Sequence, residues 1–157
     1  MHEHTRIAEQ IRRASHGPAW HGPSLAEVLD DITTDEAIAR PVPDAHSIWE
    51  LVGHLTTWTH AVARRLEDAG FDPSEPENFP RVRDASPRAW AAACDRVLDA
   101  HEELAAAVER GAGGDLDAEV PGRGYPLHVM LSGAAEHTAY HTGQIAVLKR
   151  ALGTGAK

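Results

Sequence analysis

Cysteine is nearly absent from this chain: there is one, Cys94, in 157 residues. A lone thiol excludes an internal disulfide, so the fold has to rest on its core, and it suits a reducing compartment. Aromatic residues make up only 5%, and four of them are tryptophans. Basic residues are outnumbered, 15 Lys and Arg against 24 Asp and Glu, for a formal charge of −9. That balance disfavours nonspecific attraction to nucleic acid or to an anionic membrane surface, and no basic helix is evident. No apolar run reaches the roughly 18 residues that a membrane span needs. The start, Met1-His2-Glu3-His4-Thr5-Arg6, is polar and unlike a secretory signal, so the expectation is a cytoplasmic protein.

What is present favours helix. Ala, Leu, Glu and Arg abound, all good helix formers. The hydrophobic fraction of 42% and the charged fraction of 25% are ordinary for a globular protein, and the length points to one domain over 1–157 with a core of its own. A first helix is expected from about Glu3 to Ala14, where Ile7 and Ile11 share a face, with Gly17-Pro18 ending it. Ser24 can cap a short helix from Leu25 to Ile32, and Thr34-Asp35-Glu36-Ala37 begins another brief turn. Pro41 and Pro43 then force an extended link.

A second long helix starts at Ser47, whose partner three residues on, Glu50, completes a capping box, and runs to about Asp68. Ile48, Leu51, Val52, Leu55, Val62 and Leu66 form its apolar face. His54 lies at the edge of that face beside Leu51 and Trp58, where a ligand could reach the interior while the stripe still packs. Residues 71–87 hold Pro73, Pro76, Pro80 and Pro87 and read as a long surface connection. A third helix from Ser86 or Pro87 to about Arg110 carries Trp90, Cys94, Val97, His101, Leu104 and Val108 at seam spacing. A fourth spans about Pro126 to Leu152, with Pro126 in its first turn. Four long helices with no convincing strand point to an all-α four-helix bundle.

The residues richest in chemistry lie on that last helix, in Glu136-His137-Thr138-Ala139-Tyr140-His141-Thr142-Gly143-Gln144-Ile145. His137 and His141 are one helical turn apart on the same face. His141 shares its stripe with Leu127, Met130, Ala134, Ile145, Leu148 and Leu152, so it points inward. Two imidazoles so placed can hold a divalent ion; a pair of hydrogen-bonded core histidines fits the same pattern.

Three stretches carry a resemblance to a known family: Ala19-Trp20-His21-Gly22-Pro23-Ser24-Leu25, His46-Ser47-Ile48-Trp49-Glu50-Leu51-Val52-Gly53-His54, and His137-Thr138-Ala139-Tyr140-His141-Thr142-Gly143-Gln144-Ile145. Together they resemble the DinB-like superfamily, which includes bacillithiol- and mycothiol-dependent transferases. The resemblance implies a four-helix bundle, often a homodimer, with one divalent metal ion held by His54, His137 and His141. It also implies an enzyme in which the metal activates a low-molecular-weight thiol for attack on a small-molecule substrate. A metal-dependent hydrolase of a small ester or amide, and a non-catalytic metal-binding stress-response protein, are the other readings.

Three nitrogen ligands leave a coordination position open, the pattern of catalytic sites. The ligand types suit zinc, nickel or iron and do not choose among them. A bound water can reach a pKa of about 7, and a bound thiol is deprotonated. Helical zinc peptidases place a glutamate directly after the first histidine; here that residue is Thr138, so their route is disfavoured.

Other residues carry weaker expectations. Gln144 falls on the ligand face and is expected either to orient a ligand or to hydrogen-bond across the bundle. Glu50, one turn before His54, is a second such residue, with capping as its main role. Gly143 is read as permitting close helix approach, and Tyr140 and Trp58 as packing. His101 is read as a core histidine, and His21 and His46 as hydrogen-bonders that fix loops. His2, His4, His16, His60 and His128 are read as surface residues. Cys94 is a small seam residue and no nucleophile.

Overall fold

A computed structural model describes residues 2–153. It holds seven helices among them: α1 (Glu3–His16), α2 (Leu25–Leu29), α3 (Thr34–Ile38), α4 (Ile48–Arg65), α5 (Glu75–Asn78), α6 (Pro87–Glu109) and α7 (Leu127–Ala151). The described residues form no strand, only isolated bridges between Ala19 and Gly22 and between Glu119 and Pro126. The fold is all-α.

Helix starts follow from short polar side chains. Ser24, Thr33 and Ser47 each accept the backbone N–H three residues on, and Glu27, Glu36 and Glu50 return the bond to the cap residue. Each such cap contributes about 1 kcal/mol. Ser86 caps α6 through the Ala89 N–H.

The long helices α6 and α7 each pack against both α1 and α4. Their apolar faces make two clusters. One gathers Leu25, Ile48, Leu55, Val97 and Ile145; the other gathers Ile7, Ile11, Leu104, Val108 and Leu131. On α4, α6 and α7 a buried polar residue falls between the two: Thr59, His101 and Thr138. The Thr138 hydroxyl lies 2.8 Å from His101 Nε2 and the Thr59 hydroxyl 3.3 Å from it. His101 Nδ1 donates to the Val97 carbonyl at 2.6 Å, so this layer is satisfied and costs little to bury.

Several boundaries differ from the sequence reading. The first helix runs on to His16 and ends at Gly17, whose φ of 82° needs no strain in a glycine. The Leu25 helix stops at Leu29, because Asp31 takes a left-handed φ of 66° before Ile32 is reached. The second long helix stops at Arg65. There the buried Arg65 side chain turns onto the Phe71 carbonyl and the Asp72 carboxylate, tying down the chain that follows. Pro126 is the cap of the last helix rather than part of its first turn, with an extended ψ of 161°. The connection over 71–87 contains α5, where the Ser74 N–H donates to Glu77 Oε2 at 2.8 Å.

Candidate metal centre

His54 stands on the second turn of α4, a helix that runs into the core on Leu51, Val52 and Leu55. His137 and His141 stand one turn apart on α7, held by Thr138, Thr142 and Ile145 on the buried face. Because α4 packs on α7, the three rings meet. One nitrogen from each, taken together, lies within 4.8 Å of the others. His137 Nε2 is 3.2 Å from His54 Nε2 and 3.0 Å from His141 Nε2.

The other ring nitrogens decide the tautomers. His54 Nδ1 is 2.8 Å from the Asn78 carbonyl oxygen, and His141 Nδ1 is 2.6 Å from Gln144 Oε1. A carbonyl oxygen only accepts, so both Nδ1 atoms carry hydrogen and both Nε2 lone pairs face inward. His137 can give at most one proton to two facing lone pairs. A shared cation satisfies all three acceptors. Around a tetrahedral ion with nitrogen ligands at about 2.0–2.1 Å, neighbouring nitrogens lie roughly 3.3 Å apart, close to the spacings here. The donor set fits one divalent ion, and the hydrogen-bonded second nitrogens are the usual outer support of such ligands.

Electrostatics point the same way. Burial, and then the neighbouring His141 and His54, push the His137 pKa down from 6.5 to about 4. Burial also lowers His54 and His141, opposed in each by its Nδ1 acceptor. At neutral pH the rings are therefore neutral, the form that binds a metal.

Asn78, the last residue of α5, and Phe79 directly after it belong to the site although the sequence reading passed over them. The Asn78 backbone oxygen fixes His54, and its side-chain oxygen accepts the Trp58 indole N–H at 2.8 Å. The Phe79 ring stacks on His54 with centroids 4.2 Å apart, and on His46 at 3.6 Å. The available signal was Ser74-x-x-Glu77, a capping-box pattern amid the prolines. It marks a helical turn that ends at Asn78.

The remaining expectations sort by contact. Gln144 reaches His141. Glu50 does not reach His54: its carboxylate serves the Ser47 N–H, the Arg40 guanidinium and His46. Its influence on the site passes only through His46 and the stacked Phe79. His46 fixes its loop by that stack and by its Nδ1, 3.4 Å from Glu50 Oε2, whereas His21 is exposed and has no hydrogen-bond partner among the described residues. His101 is a satisfied core residue whose pKa burial lowers to about 4. Burial and the nearby Asp95 raise Cys94 to about 11, far from a nucleophilic thiolate.

Two further readings are corrected, at Gly143 and at the pair His4 and His128. Gly143 meets no neighbour, since a Cβ there would enter open space; the close approach is at Gly53, where a Cβ would lie 2.8 Å from Pro80 Cγ. Tyr140, 64% exposed on the outer face of α7, packs its ring edge-on against His141 with centroids 5.0 Å apart, as expected of a packing residue. His4 and His128 are half-buried rather than free surface residues, bonded to the Gly114 and Leu116 carbonyls of the α6–α7 loop.

A cavity of about 280 Å³ adjoins the cluster, with His137 in its wall. Trp58, Val62, Tyr125, Val129 and Met130 make its other walls largely apolar, and Arg65 borders it. A second, outer groove of about 500 Å³ between Val42, His46, Tyr140 and Val147 includes Gln144 but none of the three clustered histidines.

No curated protein and no solved structure matches this chain. The sequence profile of the DinB superfamily matches residues 19–145, a span that contains His54, His137, His141 and Gln144, and the chain belongs to that superfamily.

Proposed function

We propose that the protein is a metal-dependent enzyme on a four-helix bundle of the DinB type, with His54, His137 and His141 as ligands of one divalent ion. The observation that carries this is the meeting of three Nε2 atoms, two of them bared by Nδ1–H bonds to Asn78 and Gln144. A bound ion would act as a Lewis acid that makes a thiol, or in the second reading water, nucleophilic at neutral pH.

The chain's own residues supply the rest. Asn78 and Gln144 hold two rings in register, and Phe79 covers one face of His54. Trp58, Val62 and Met130 give the cavity beside His137 apolar walls that seat an apolar substrate body. The volume of about 280 Å³ suits a small molecule. Thiol transfer is preferred to hydrolysis on the resemblance to thiol-dependent relatives, which is analogy of family rather than of site.

The test is turnover by protein loaded in turn with zinc, nickel and ferrous iron. Chlorodinitrobenzene with a low-molecular-weight thiol probes transfer; nitrophenyl acetate without thiol probes hydrolysis. The expected result is metal-dependent, thiol-requiring conjugation that is lost in His141→Ala. Turnover of the ester alone would move the assignment to hydrolysis. No turnover of either by protein that holds its metal would leave a metal-binding protein without catalysis.

A further inference from the structure

A second cavity, of about 370 Å³, lies on the far side of the connection that follows α5. Half-exposed Pro80, Val82 and Ala89 give it an apolar wall over the buried Trp49, Val52 and Ala93, and the exposed Arg81, Arg83 and Arg96 also line it. In a chain of formal charge −9, most other arginines are committed to acids. Arg12 pairs with Glu102 and Glu109, Arg40 with Glu50, and Arg65 and Arg123 with Asp72. Among the described residues no carboxylate pairs with Arg81, Arg83 or Arg96. The one acid on the lining, Asp84, accepts the Ser86 N–H at the head of α6.

Three guanidinium groups on one cleft offer donors to an anion, and their planar forks match carboxylate and phosphate oxygens. The adjoining wall of Pro80, Val82 and Ala89 is apolar, so a bare inorganic ion would leave it unused. The net negative charge of the chain disfavours a nucleic-acid strand. We propose that this cleft binds a small organic anion, with its charged group on Arg81, Arg83 and Arg96 and its apolar body against Pro80, Val82 and Ala89.

The site borders the histidine cluster without depending on it. Pro80, which packs against Gly53, lines the cleft as well. The two residues before it, Asn78 and Phe79, hold His54. An anion bound to Arg81 and Arg83 therefore steadies the segment that positions His54. The occupant is defined by its chemistry: one acidic group on a body the size of one or two rings.

Amide chemical-shift mapping of the whole protein tests this with naphthoate as the anionic probe and naphthamide as its uncharged counterpart. Naphthoate is expected to shift Gly53, Val82, Ala93 and Arg96, with naphthamide much weaker. An Arg83→Gln/Arg96→Gln variant, changed only at exposed side chains, is expected to bind naphthoate about tenfold or more weakly, as loss of charge-assisted bonds requires. Equal binding of the two probes would overturn the proposal. So would shifts centred on His137 or Tyr140, or undiminished affinity in the variant.

Discussion

Gln144 determines which nitrogen of His141 is free. Its Oε1 takes the Nδ1 proton at 2.6 Å and leaves Nε2 to face the other two rings. Gln144→Leu keeps bulk on a half-buried helical position but removes the acceptor. Outer supports of this kind are worth about 10- to 100-fold in metal affinity. A chelator-competition titration of Gln144→Leu should therefore show a loss in that range with the helical circular dichroism unchanged; equal affinity would deny Gln144 this role. At this scale the sequence was readable where partners are neighbours on one helix. His137, His141 and Gln144 lie within two turns, so periodicity alone puts them on a common face. His54 is far away along the chain, and its place beside them came from the family resemblance. Asn78 and Phe79 were not legible, since their contacts form only when a proline-rich segment folds back on α4.

Among the elements, α4 and that folded-back segment form a unit. Gly53 sits in mid-helix, where alanine would ordinarily add about 1 kcal/mol of stability through helix propensity. A Cβ there would lie 2.8 Å from a proline ring that cannot swing aside as a flexible side chain would. Steric displacement should win. Gly53→Ala should fail to stabilise the protein in urea unfolding and should weaken metal binding by moving Asn78 and Phe79 off His54. A gain of about 1 kcal/mol with unchanged metal affinity would show that the segment is not seated through Gly53. Helix starts were legible from Ser24, Ser47 and Ser86, because a cap is a local hydrogen bond. Helix ends were less so. The end of α4 at Arg65 depends on a side chain reaching Phe71 and Asp72, a contact that no pattern within the helix announces.

At the scale of the molecule, seven helices among the described residues surround two apolar clusters with a polar layer between, and the three histidines converge where α4 packs on α7. None of the described helices is long and apolar enough to cross a membrane. The all-α class was legible because composition and periodicity act along the entire chain. The pairing of α4 with α7, which brings His54 to His137 and His141, is a long-range property that composition does not encode. That convergence carries the central claim, and metal content measures it most directly. Wild type and His141→Ala should be purified without any nickel column and compared for bound metal and affinity. About one equivalent in wild type, lost in the variant while its fold is retained, is the predicted result, since two nitrogens hold an ion far less well than three. No metal in either protein, with both folded alike, would make the three rings ordinary core histidines and contradict the assignment.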